Sequence, residues 1–128
     1  MRDHSTFLEL VGFDADEREE GTFHLELKLQ PHLYQDDGTI HPGVFSTMLD
    51  IVMGATVSRK FQSFATTINL NVSYFNLSPH NLYKGETTII HQEGSYVTAE
   101  GVIVNETGEV VSKGIGTFKI KLKEKVMM

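Results

Sequence analysis

From Thr22 onward apolar and polar residues alternate, with Phe23, Leu25, Leu27 and Leu29 on one face and His24, Glu26, Lys28 and Gln30 on the other. That period of two predicts a half-buried strand, ended by Pro31. A polar loop, Gln35-Asp36-Asp37-Gly38-Thr39, leads to His41-Pro42-Gly43, where the pattern changes. Pro42 suits the first position of a helix, whose φ it already has and whose N–H is dispensable. From there to about Arg59, the residues Val44, Phe45, Met48, Leu49, Ile51, Val52, Met53, Ala55 and Val57 surround the axis so fully that no wide polar face remains. This predicts a helix buried on nearly all sides. Period two then returns, Ile68, Leu70, Val72 and Tyr74 alternating with Asn69, Asn71 and Ser73. Three more strands are expected at roughly Leu82–His91, Tyr96–Asn105 and Glu109–Leu122. The connections between them, Gln92-Glu93-Gly94-Ser95 and Glu106-Thr107-Gly108, predict an antiparallel meander. Upstream, Phe7, Leu8, Leu10 and Val11 have helical spacing within Ser5–Val11 and stop at Gly12. The acidic stretch from Asp14 to Gly21 has no apolar period and reads as a solvated turn without chemistry.

The expected order is a short helix, a strand, a long buried helix and four strands, with no repeat or linker. One apolar helix surrounded only by antiparallel strands must be wrapped by a strongly curved sheet, because nothing else can cover its sides. The class is therefore α+β. With 128 residues, 40% of them hydrophobic, residues 1–128 form one domain with one core. The absence of cysteine removes disulfides and thiolate nucleophiles and leaves a zinc site only histidine and carboxylate ligands. The N-terminal residues turn polar before any signal-peptide run, and no stretch reaches membrane-spanning length. A cytoplasmic protein without a membrane partner is expected. A net charge of −6 argues against nucleic acid as a partner and for a small-molecule substrate.

Asp50 is the only acid of the predicted helix. A carboxylate desolvated there without a partner is costly, so it either meets a small polar opening or caps strand N–H groups, or it works. As a working group it would have a raised pKa and act on an acyl carbon as general base or nucleophile. Ester-like hydrolysis also needs oxyanion donors, and the helix start offers the N–H groups of Gly43 and Val44. Asp50 lies about 12 Å from Pro42 along the axis, so one carbonyl cannot touch both ends within one chain. A symmetric dimer with antiparallel helices side by side would bring one helix start to the other chain's Asp50. Thr67 is a candidate to orient Asp50 or its water, against the reading of an ordinary strand threonine. Gln35 is a candidate for the leaving group or water, against an exposed loop amide. His41 reads as a loop-orienting group before a general acid. The histidines have no metal-ligand spacing, and no metal or cofactor is expected. Lys119, Lys121, Lys123 and Lys125 read as protection of a sheet edge, or more weakly as phosphate contacts. Arg59 and Lys60 complement the helix C-terminus.

The segment Gly38-Thr39-Ile40-His41-Pro42-Gly43-Val44, then Asp50, then Asn71-Val72-Ser73-Tyr74-Phe75, and the ending Gly114-Ile115-Gly116-Thr117-Phe118 resemble the PaaI-like branch of the hotdog-fold acyl-CoA thioesterases. The resemblance runs from about Thr22 to Phe118 and implies a curved antiparallel sheet around one central helix, acting on acyl-CoA. It implies Asp50 as base or nucleophile, Thr67 as the hydroxyl that aids it and His41 as the loop-fixing histidine, with a homodimer or a dimer of dimers. Val44, Arg59 and Asn69 join as candidates for substrate contact. Two positions depart from the family pattern. Gln35 replaces the usual Asn, and Pro42 replaces the glycine whose N–H polarises the thioester carbonyl, a group proline lacks. The alternative reading is thus a non-catalytic or weakly catalytic acyl-CoA-binding protein. Hydratase or dehydratase chemistry ranks lower, because Met48 stands where related dehydratases carry an acid.

Overall fold

The structure is a computed structural model in which residues 13–17, 23–28 and 30–122 are described. Strands β1 (Phe13–Glu17) and β2 (Phe23–Lys28) precede a 3-10 turn at Pro31–Leu33 and the helix α1 (Pro42–Phe61). Strands β3 (Thr66–Tyr74), β4 (Leu82–Glu93), β5 (Tyr96–Asn105) and β6 (Val110–Lys119) follow. The six strands form one antiparallel sheet in the order β1-β2-β4-β5-β6-β3. α1 packs against β2 to β6, so the sheet curls around it as the single apolar helix requires.

The core sits between them. Val44, Phe45, Met48, Leu49, Val52, Met53 and Val57 of α1 are buried against Leu27, Tyr83, Val97, Ala99, Ile103, Val111 and Phe118 of the sheet. Tyr83 packs edge-on to Phe45 with ring centroids 5.1 Å apart. Close approach of helix and sheet depends on Gly101, where a Cβ would lie 2.9 Å from Leu49 Cδ2 and 3.0 Å from Met53 Cγ. The helix starts as expected at Pro42, with His41 as its N-cap, and ends two residues beyond the expected Arg59 at Phe61, where Gln62 takes a left-handed φ of 51°.

Four expectations need correction. The acidic stretch expected as a turn contains β1, which pairs with β2 from Phe13↔Leu27 to Glu17↔Phe23. β1 is an edge strand, held by the backbone ladder to β2, and charges are tolerated on an edge, so no apolar period marks it. Lys119 does not guard an edge, since β6 lies between β5 and β3; it sits 5.9 Å over the Tyr96 ring instead. α1 is not covered all round, because Ser46, Thr47, Asp50, Ile51, Gly54, Ala55 and Ser58 remain only half-buried along the side away from the core. Ile68, expected on the inner face of its strand, is 51% exposed. The predicted helix Ser5–Val11, with Lys123 and Lys125, lies outside the described residues. Among the described residues no helix is long and apolar enough to cross a membrane.

Candidate active site

Two clusters of the expected residues form, at different places on α1. The first is Asp50 with Thr67. Asp50 projects from the half-buried side of the helix, and the Thr67 hydroxyl donates to its Oδ1 at 2.6 Å. Such a short O–H···O⁻ contact fixes the rotamer of the carboxylate.

A break in β3 aims Thr67 at the helix. Its register with β6 runs Thr67↔Phe118, then Asn69↔Thr117 and Leu70↔Gly116, with a shift between Thr67 and Asn69. In an unbroken strand Thr67 and Leu70, three apart, would point to opposite faces. The extra residue Ile68 restores them to the same, concave face, as β-bulges beside functional groups do. The same shift turns Asn69 and Asn71 outward, where with Thr98, Ile115 and Thr117 they line a groove of about 450 Å³ on the convex face. Asn69 therefore stands on the other side of the sheet from Asp50.

The second cluster is the helix start. His41 Nδ1 accepts from the Gly43 N–H at 2.9 Å, and the Val44 N–H donates to the His41 carbonyl at 3.0 Å. The two N–H groups expected as unpaired oxyanion donors are thus already engaged, and Pro42 has none to give. Because Nδ1 accepts, the neutral His41 ring must hold its proton on Nε2. Gln35 lies in the same region: its Nε2 donates to Thr39 Oγ1 at 2.9 Å and its N–H to the Thr39 carbonyl at 2.7 Å. Asp37 ties this loop, accepting from the Thr39 hydroxyl at 2.6 Å and the Thr39 N–H at 2.9 Å. Those two bonds, the hydroxyl foremost, hold the Asp37 carboxyl below the usual aspartate range. The loop is docked by Ile40 N–H on the Leu77 carbonyl and His41 N–H on that of Leu33.

Within one chain the clusters stay apart. Gly43 and Asp50 are about 10 Å apart along the axis, and Arg59, half-buried near the helix end, is about 13 Å from Asp50 in the other direction. Met48, where a dehydratase acid would stand, is wholly buried in the core. Among the described residues no three His, Asp or Glu side chains gather as a metal site.

A family model described as the thioesterase superfamily matches residues 37–112, more than half of the chain. This chain belongs to the thioesterase superfamily. Its curled sheet around one helix is the hotdog fold of that superfamily. It is similar to the BH2602 protein of Bacillus halodurans, solved with CoA, at 28% identity and a TM-score of 0.85 over 96% of this chain and 83% of that one. The PaaI protein of the E. coli phenylacetic acid degradation operon shares the fold at 13% identity and a TM-score of 0.83, over 92% of this chain and 86% of that one. The thioesterase enzyme SAV0944 of Staphylococcus aureus, solved as a point variant, does so at 16% identity and a TM-score of 0.82, over 91% and 99%. No curated protein matches the sequence.

For a thioesterase-superfamily chain, two features of the site escaped the sequence. The bulge at Ile68 had one faint signal, the odd spacing of Thr67 from the inward Leu70 and Val72. The closure of Gly43 by His41 could be read only as the general tendency of a residue before a helix to cap it.

Proposed function

We propose that this chain hydrolyses an acyl-CoA thioester, with Asp50 as general base or nucleophile, in a site completed by the helix start of a second copy. The observation that carries the reading is the Thr67–Asp50 hydrogen bond on the half-open side of α1. In the general-base route a water oxygen bonds to the thioester carbonyl carbon while its proton passes to Asp50. The tetrahedral oxyanion then collapses, the C–S bond breaks, and the CoA thiolate takes a proton to leave a carboxylic acid and CoA. In the nucleophilic route Asp50 itself bonds to that carbon, expels the thiolate, and water cleaves the resulting anhydride.

Two features support sharing between copies. The clusters are too far apart in one chain, and β3 ends the sheet with an edge that no strand among the described residues pairs. Edge pairing of β3 in two copies would extend the sheet and cover the half-buried side of α1. CoA as the carrier is supported by BH2602, which was solved with it. The Gly43 N–H is the donor nearest to the missing one at Pro42, and a bound carbonyl competes for it with the His41 ring.

A second reading follows from the same bond. If His41 keeps Gly43 engaged when acyl-CoA is bound, the oxyanion has no donor at the helix start and the protein binds thioesters with little turnover. Thiol release from a panel of acyl-CoAs separates the two. Wild type is expected to release thiol and Asp50→Asn to lose it. Mixing Asp50→Asn chains with Gly43→Pro chains, which lack the helix-start N–H, should recover on the order of a quarter of the wild-type rate, through one intact site in each mixed dimer. No recovery on mixing contradicts the shared site, and no release by wild type with tight binding favours the second reading.

A further inference from the structure

Tyr83 carries a hydroxyl that packing alone does not explain. Its ring is wholly buried on the concave face of β4 and meets Phe45 edge-on, a contact that phenylalanine would make as well. A buried hydroxyl has lost its water and needs partners, and this one finds two in the backbone of a single turn. It accepts from the His80 N–H at 2.9 Å and donates to the Ser78 carbonyl at 3.2 Å. Burial raises the Tyr83 phenol above its ordinary value, so it stays protonated and remains a donor.

The turn it holds lies against the helix start. Asn76 Oδ1 accepts from the Ser78 N–H at 2.9 Å, and His80 Nδ1 adds a second donor to the Ser78 carbonyl at 2.9 Å. One residue earlier, the Leu77 carbonyl accepts from the Ile40 N–H at 2.9 Å. Ile40 is wholly buried and precedes His41, whose Nδ1 engages the Gly43 N–H. Phe45, which packs on the Tyr83 ring, stands two residues after Gly43 on α1. One side chain therefore meets both flanks of Gly43, the loop before it through the hydroxyl and the helix after it through the ring.

We infer that Tyr83 is a positioning residue: its hydroxyl fixes the 76–80 turn against Ile40, its ring fixes Phe45, and together they set where the Gly43 N–H stands relative to the thioester carbonyl. The inference rests on the thioester reading above. A wholly buried phenol acts only through the groups it holds.

Tyr83→Phe keeps the ring and removes the hydroxyl. With acyl-CoA, kcat should fall on the order of tenfold, within the range that a misplacement of an ångström produces, and KM should change by less than about twofold. Amide hydrogen exchange on the same variant should show Ile40 losing protection about tenfold more than Leu49 in the middle of α1. Adding Tyr83→Phe to Gly43→Pro should cost little further, because the N–H being placed is already gone. A tyrosine that only stabilises the fold would lower both backgrounds alike. Unchanged kcat, equal loss of protection at Ile40 and Leu49, or a full tenfold loss in the Gly43→Pro background would overturn the inference. Should Tyr83→Phe not fold, Asn76→Ala removes the other tie of the same turn, and it should give the same split in kcat and exchange; unchanged values there would count equally against the role. Selective loosening of Ile40 in a protein whose wild type releases no thiol would sink the thioester reading alone. Thiol release by wild type that Tyr83→Phe leaves unaltered would sink the role of Tyr83 alone.

Discussion

The Thr67 hydroxyl reaches the Asp50 carboxylate at 2.6 Å because a bulge at Ile68 turns it onto the concave face of the sheet. Replacing Thr67 by Val should lower kcat on the order of tenfold to 100-fold, within the range of a positioned group in proton transfer. KM should change little, and Thr67→Ser should restore most of the rate. Deleting Ile68 should cost less, since Thr67 then pairs with Phe118 in an unbroken alternation and stays on the concave face. A Thr67→Val variant with wild-type kcat would reduce the bond to a structural tie.

Pro42 leaves the helix start one donor short, and Gly43 is held by His41. Pro42→Gly adds an N–H there, and turnover should rise, by up to about 100-fold if the oxyanion is poorly held in the wild type. The same change should cost about 0.5–1 kcal/mol of stability through added freedom of the unfolded chain. Steady-state kinetics with a thermal melt reads both. Unchanged kcat would mean that another donor suffices.

Gly101→Ala tests the packing that sets the height of α1 over the sheet. The added Cβ would overlap Leu49 and Met53, both fully buried, at 2.9 and 3.0 Å. Destabilisation of about 1–3 kcal/mol is expected, as for other overpacked cores. A denaturant melt checks it, and a stable variant would mean that the helix shifts freely.

The loop that holds Gln35 should loosen in acid. Hydrogen bonds from Thr39 keep the folded Asp37 pKa below its ordinary value. A depressed carboxylate contributes stability that is fully present above the unfolded value of about 3.9 and is lost as pH falls through the lower folded value. The Thr39 amide shift in an NMR titration should therefore move with a midpoint below about 3.9. Asp37→Ala should abolish that transition, and a midpoint at or above the ordinary value would contradict the bond.

Much of this was legible in the sequence because burial and period coincide. The alternation through Leu27, the apolar ring of α1 and the two hairpin connections each name an element that the structure contains. β1 was not legible, since an edge strand is held by its partner's backbone and Asp14 to Glu17 carry no period of their own. The bulge was not legible either, because one extra residue alters which face a side chain takes without altering composition. The lone acid at Asp50 stood out from its apolar neighbours. The second cluster reads from the chain as residues but not as bonds, and His41 closing on Gly43 is a matter of rotamer.

The most direct measurement is single-turnover thiol release from an acyl-CoA by wild type and Asp50→Asn, with acyl-CoA binding recorded for both. Binding should be kept within a few-fold, and the rate of thiol release should fall by at least about 100-fold, as expected for loss of a general base or nucleophile. Equal rates for the two proteins would contradict the assignment of Asp50.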